Sequence, residues 1–129
     1  MKKIYYPAIF HPEESGYSVV VPDIDGCFTE GDTLEEAMDM AFDAIGLCLD
    51  DCDGNFPAAS NPAEIRPEET GDFVTLIPFD MLSYRKKHDT RSVKKTLTIP
   101  SWLNAAAEEA HINFSSVLQS GLKQQLHID

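Results

Sequence analysis

The sequence predicts an α+β protein in two parts, a helix laid on a small sheet and then a strand-helix-helix unit that must dimerise. Three observations predict it. Residues 1–80 set β-rich runs and turn clusters around one long amphipathic stretch. Residues 93–126 hold one period-2 run followed by two helical periodicities. Charge divides at nearly the same place: residues 1–80 carry 18 acidic against 3 basic residues, a net of −15, and residues 81–129 carry 7 basic against 4 acidic, a net of +3. A length of 129 residues suits one small domain, here 1–80, a linker over 81–92, and a compact module over 93–129.

The first domain reads β-β-β-α-β. Ile4 to His11 and Tyr17 to Val21 are β-rich and flank Pro12-Glu13-Glu14-Ser15-Gly16, a turn cluster that predicts a hairpin. The turn at Asp25-Gly26 leads to a short third strand around Cys27-Phe28-Thr29. Thr33 and Glu36 have the spacing of a capping box, in which hydroxyl and carboxylate each satisfy a backbone N–H of the first turn. Leu34, Ala37, Met38, Ala41, Ile45, Cys48 and Leu49 follow at three- and four-residue spacing, so a helix should run to about Asp51 with that stripe against the sheet. Its other face carries Glu35, Glu36, Asp39, Asp43 and Asp50. A Pro-, Ala- and Glu-rich loop spans 54–71, and Phe73 to Pro78 supplies the last strand.

In the tail, Lys94-Lys95-Thr96-Leu97-Thr98-Ile99 alternates polar side chains with Leu97 and Ile99, and Pro100 ends the strand because it has no N–H for a ladder. Ser101 is the expected N-cap of a helix from Trp102 to Ala110, and a second helix starts at Asn113. One strand and two helices cannot bury Leu97, Ile99, Phe114, Val117, Leu118 and Leu122 alone, so two copies should pair their strands antiparallel under four helices.

These residues resemble a ribbon-helix-helix DNA-binding domain. The resemblance implies a homodimer whose two-stranded ribbon enters the major groove of operator double-stranded DNA. It places Lys94, Thr96 and Thr98 outward toward bases, with Lys95 and Arg91 in the basic approach, and it sets Phe114, Ser115 and Ser116 in a first helical turn whose amides hold a phosphate. It also places His111 where glycine is usual, so that residue is expected in the left-handed region.

Gly16-Tyr17-Ser18-Val19-Val20-Val21-Pro22-Asp23 together with Gly26-Cys27-Phe28-Thr29-Glu30-Gly31-Asp32-Thr33-Leu34-Glu35-Glu36-Ala37 is similar to the HicB antitoxin family, with Asp25 standing where that family commonly has Pro. The resemblance implies a partial ribonuclease H-like fold and a HicA-type partner, a small basic mRNA-cleaving toxin. It also implies repression of the chain's own operon. Charge agrees on physical grounds, since an acidic cover complements a protein that must grip phosphates. Asp23, Asp25, Glu30, Asp32, Glu35, Asp39 and Asp43 are the expected toxin contacts. Assembly beyond a dimer stays open.

Two other readings compete. One is a ribbon-helix-helix regulator whose acidic domain senses a small ligand. The other is a ribonuclease H-like nuclease, for which Asp23, Asp25, Glu30 and Asp32 would have to converge on metal ions. The first strand holds no acid, and a net of −15 repels a nucleic-acid substrate, so no enzymatic activity is expected. No cofactor or metal is expected either: Cys48 and Cys52 stand four apart without a second pair, and the four histidines lack metal-site spacing. No apolar run reaches the ~18–20 residues that span a bilayer, and Met1 to Pro7 lacks signal-peptide features, so a cytoplasmic protein is expected.

Overall fold

A computed structural model of the chain describes residues 3–52 and 54–129. It divides into two compact units, one reaching to Arg91 and one from Ser92 to Asp129.

In the first unit β1 (Ile4–Pro12), β2 (Tyr17–Val20), β3 (Phe28–Gly31) and β4 (Phe73–Phe79) form an antiparallel sheet in the order β3-β2-β1-β4. The β1–β2 hairpin closes where Glu13 N–H donates to the Gly16 carbonyl, and Gly16 turns the chain at φ +89°. A Cβ at Gly16 would strike the carbonyl of Gly31, so glycine is needed there for both conformation and space. Helix α1 (Leu34–Leu49) starts where expected, with Thr33 Oγ1 accepting the Glu36 N–H at 3.1 Å; the reciprocal bond from Thr33 N–H to the Glu36 carboxylate is not made, so half of the expected capping box is present. It packs Ala37, Ala41, Ile45 and Leu49 on Tyr6, Ala8 and Phe10 of β1, Val19 of β2, and Ile77 and Phe79 of β4. All of these are essentially fully buried. The 54–71 loop shares cavities with side chains of the opposite sheet face, among them Tyr5, Ile9 and Leu76.

The segment expected to be a linker, 81–92, is instead helical over Met81–His88 (α2), and that helix belongs to the first unit. Asp80 caps it by accepting the Ser83 N–H at 2.9 Å. The Tyr84 ring lies against Gly46 in the space a Cβ would fill, and it joins a cluster with Phe42 and Phe79. The run Arg85-Lys86-Lys87-His88 reads as a solvated stretch until the acids of α1 are placed beside it.

The second unit contains α3 (Ser101–Glu109) and α4 (Phe114–Leu126). Residues 93–99 form no strand within one chain, because a ladder needs a partner strand that a single copy does not supply. The expected Ser101 cap is also corrected. Ser101 is the first helical residue, Pro100 holds the cap position, and no side chain caps α3. Asn113 does cap α4, accepting the Ser116 N–H at 3.0 Å. His111 turns between the helices at φ +55°, in the left-handed region anticipated for it. No residue of 92–129 is buried.

Candidate partner-binding surfaces

The seven acids expected to face a toxin fall into two groups. Asp23 and Asp43 are engaged within the chain. Asp23 accepts from Ser60 N–H at 2.8 Å and from Ser60 Oγ at 2.5 Å, tying the 54–71 loop to the turn after β2. Asp43 accepts from Lys87 Nζ at 2.9 and 3.1 Å and contacts His88 Nε2 at 3.0 Å, which fastens α2 to α1. Burial acts to raise the Asp43 carboxyl, but the bonds from His88 and Lys87 outweigh it and hold the group below its ordinary range. Asp25, Glu30, Asp32, Glu35 and Asp39 are exposed and make no side-chain hydrogen bond or ion pair among the described residues. These five run from the turn before β3, along β3, and onto the first turns of α1. They are the acids free to meet a partner.

The expected DNA-facing residues divide similarly. Arg91 donates to both Asp89 oxygens, from Nε at 3.0 Å and Nη2 at 2.9 Å, and those bonds hold the Asp89 carboxyl down to about 2. With Lys87 on Asp43 and Arg85 Nε 3.9 Å from Asp50, most of the basic approach is answered by acids of the same unit. Lys94, Lys95, Thr96 and Thr98 stay exposed and unpaired among the described residues. Ser115 and Ser116 open α4; the Asn113 cap takes the Ser116 amide and leaves those of Phe114 and Ser115 to point out of the helix. Behind this surface Leu97, Ile99, Leu103, Ile112, Phe114 and Leu118 line an apolar cavity of about 560 Å³.

The carboxylates that a nuclease would need do not gather. Among the described residues, the one set of His, Cys, Asp and Glu side chains close enough to share a cation is His11, Glu69 and Asp72, with His11 far in sequence from the other two. His11 Nδ1 stands 2.5 Å from Asp72 Oδ1 and 3.3 Å from Glu69 Oε2. Spacing could not reveal this set, because β1 and the chain before β4 meet only through the sheet. The hydrogen bond to Asp72, reinforced by the charges of Asp72, Glu69 and Glu13, raises the His11 pKa above its ordinary value of 6.5. A raised folded-state pKa stabilises the protein fully below the unfolded value, and that contribution fades as pH climbs through the folded one. His11→Gln should therefore melt at a lower temperature than the parent at pH 5.5, with the gap closing by pH 8.5. A constant gap in thermal melts across that range would show that His11 acts by packing instead.

Of the cysteines, Cys27 is buried and Cys48 and Cys52 are half-buried. Burial, with Cys48 beside it, pushes the Cys27 thiol up to about 12, so it behaves as an inert core group. No helix among the described residues is long and apolar enough to cross a membrane.

The acidic helix-on-sheet unit and the following helical pair match the model of the HicB-like antitoxins of bacterial toxin–antitoxin systems over residues 6–121. The chain belongs to that family. A 14.9 kDa protein from the rep-hol intergenic region of Haemophilus phage HP1 is 38% identical over 104 residues, covering 76% of this chain and 74% of its own. Antitoxin HicB 1 of Photorhabdus laumondii is 50% identical over 46 residues, 35% of this chain and 30% of that protein, so the likeness to it is confined to one segment. In fold, the chain resembles a structure described as a toxin–antitoxin complex from Streptococcus pneumoniae, with TM-score 0.58 and 24% identity over 96% of this chain and 99% of that one. It also resembles the crystal structure of antitoxin HicB3, with TM-score 0.50 and 25% identity over 82% and 81% of the two chains.

Proposed function

We propose that this HicB-family chain is a non-enzymatic antitoxin that neutralises a small cationic RNA-cleaving toxin and represses its own operon as a ribbon-helix-helix homodimer. The observation that carries the reading is the joining of two unlike surfaces in one family member. The first unit is closed around its own core and leaves five of the seven expected contact acids free. The second has no buried residue, exposes Leu97, Ile99 and Leu122 among other large apolar side chains, and bears Lys94 and Lys95 on a period-2 segment. An acidic surface suits a phosphate-gripping toxin through complementary charge. An amphipathic unit without a core is completed by a second copy, which turns two 93–99 segments into the ribbon that a major groove admits.

On this reading Lys94, Thr96 and Thr98 face bases, and the Phe114 and Ser115 amides and Lys95 hold phosphates. Arg91 contributes less than its charge suggests, because Asp89 already occupies its guanidinium. Toxin contact draws on Asp25, Glu30, Asp32, Glu35 and Asp39. Asp23 and Asp43 serve the fold.

The reading predicts a short basic open reading frame beside the gene, and the test is co-expression with it, only that product tagged. A stoichiometric complex that suppresses RNA cleavage is expected, and reversing Glu35 and Asp39 together to Lys should weaken it at least tenfold at low salt. A cationic neighbour that purifies alone and cleaves RNA undiminished in the presence of this chain would overturn the antitoxin half.

A further inference from the structure

Strand β3 lies at one end of the sheet, and its outer edge has no neighbour among the described residues. Which of its backbone groups point outward follows from the register. Val21 N–H donates to the Cys27 carbonyl at 2.9 Å, and the next pairs are Val20 with Phe28, Val19 with Thr29, Ser18 with Glu30 and Tyr17 with Gly31. Antiparallel ladders alternate bonded and non-bonded pairs. Val21–Cys27 is bonded, so Val19–Thr29 and Tyr17–Gly31 are bonded too. Val20–Phe28 and Ser18–Glu30 are the non-bonded pairs. The N–H and C=O groups of Phe28 and Glu30 therefore turn away from β2 and out of the sheet.

The opposite edge differs. β4 carries Pro78, which interrupts a donor row, and a 3-10 turn at Pro62–Glu64 packs against it. β3 has neither protection. Its device is charge: Glu30, Asp32, Glu35 and Glu36 lie within nine residues that contain no base. Those acids deter another acidic strand and favour a cationic one. Beside them Phe28 is 72% exposed and its cross-strand partner Val20 is 48% exposed, giving the outer face an apolar step next to the open backbone.

We propose that the β3 edge accepts an extended segment of the cationic toxin as a fifth strand. Main-chain hydrogen bonds run to the N–H and C=O groups of Phe28 and Glu30. The incoming side chains alternate, an apolar one against Phe28 and Val20 and a Lys or Arg against Glu30. This rests on the antitoxin reading, which supplies the occupant, and assigns it a place and a sequence pattern.

The decisive variant is Glu30→Pro in the whole 129-residue chain, with the tagged product of a short basic reading frame adjoining the gene as the probe. Proline there removes an outward N–H and leaves every β2 bond in place, and the preceding Thr29 is already extended as proline prefers. Glu30→Pro should weaken toxin binding at least tenfold, and Glu30→Gln only about two- to fivefold, with the Glu30→Gln loss vanishing at high salt. If the proline variant melts early, hydrogen exchange on the parent decides: the Phe28 and Glu30 amides should become protected when toxin is added. Toxin binding that is unaffected by the variants, or no new protection at those amides, overturns the edge and leaves the antitoxin reading standing. Absence of any complex with the parent overturns both. A chain that forms larger oligomers alone, dissolved by Glu30→Pro, would assign the edge to a second copy and overturn the proposal.

Discussion

Replacing Leu97 and Ile99 together by Lys is expected to leave the chain monomeric and to remove operator binding, with the first unit still folded and still able to hold a toxin. Both side chains are exposed in one copy, at 62% and 46%, and both line the cavity formed with α3 and α4. In the proposed dimer they become the core of the ribbon. Full burial of a Leu or Ile is worth roughly 1.5–3 kcal/mol, and about half of each side chain is still open to be covered, so four such residues per dimer amount to about 3–6 kcal/mol. At about 1.4 kcal/mol per decade, even the lower figure raises the dimer dissociation constant by some two orders of magnitude. Light scattering and gel shift on the operator read the two losses. Lys94→Ala serves as the companion, since it should keep the dimer and lower operator affinity by roughly tenfold, with a shallower salt dependence. A dimer that survives the double Lys variant would show that the chains associate elsewhere.

The second large effect is expected at Gly31. A Cβ there would lie 2.5 Å from the Ala37 nitrogen and 2.7 Å from its Cα, both backbone atoms of the first turns of α1. Backbone cannot swing aside as a side chain can. The helix would have to lift from β3, with Ala37 and Ala41, both fully buried, drawn away from the sheet. Gly31→Ala should cost about 3 kcal/mol, the upper part of the range for overpacking. For a unit of this size that lowers the melting temperature by roughly 10–20 °C. Gly54→Ala is the control, because nothing lies within 4 Å of its Cβ position, although its φ of +83° gives it a smaller strain cost of its own. Gly31 has no positive φ, so equal losses for the two would mean that α1 accommodates the added methyl at no more cost than a strained φ.

Much of the first unit was legible because short-range patterns decide it. The capping pair Thr33 and Glu36, the stripe from Ala37 to Leu49 and the turn at Gly16 each act within one or two turns of chain, and the helix and strands lie within a few residues of where those patterns put them. The His111 backbone was also legible, from the residue usual at a helix-helix turn in the fold it resembles. Helix α2 was not. Its packing stripe amounts to Met81 and Tyr84, and what holds it is Gly46 beneath the Tyr84 ring and Asp43 beside Lys87 and His88, partners some forty residues away. The acids show the same limit. Nothing in their spacing separates Asp23 and Asp43, spent on Ser60 and on α2, from Asp25, Glu30 and Asp32, which remain free.

By itself the sequence determined the division into an acidic half and a basic half, the order β-β-β-α-β of the first eighty residues, and membership in a HicB-like family, because composition, hydrophobic period and motif are local quantities. The tertiary structure decided which charges are neutralised inside the chain and which edge of the sheet is open. It also decided that His11, Glu69 and Asp72 meet. Each of these depends on which strands and helices become neighbours, and strand order and register, set by how the buried faces fit together, bring those distant residues within bonding distance.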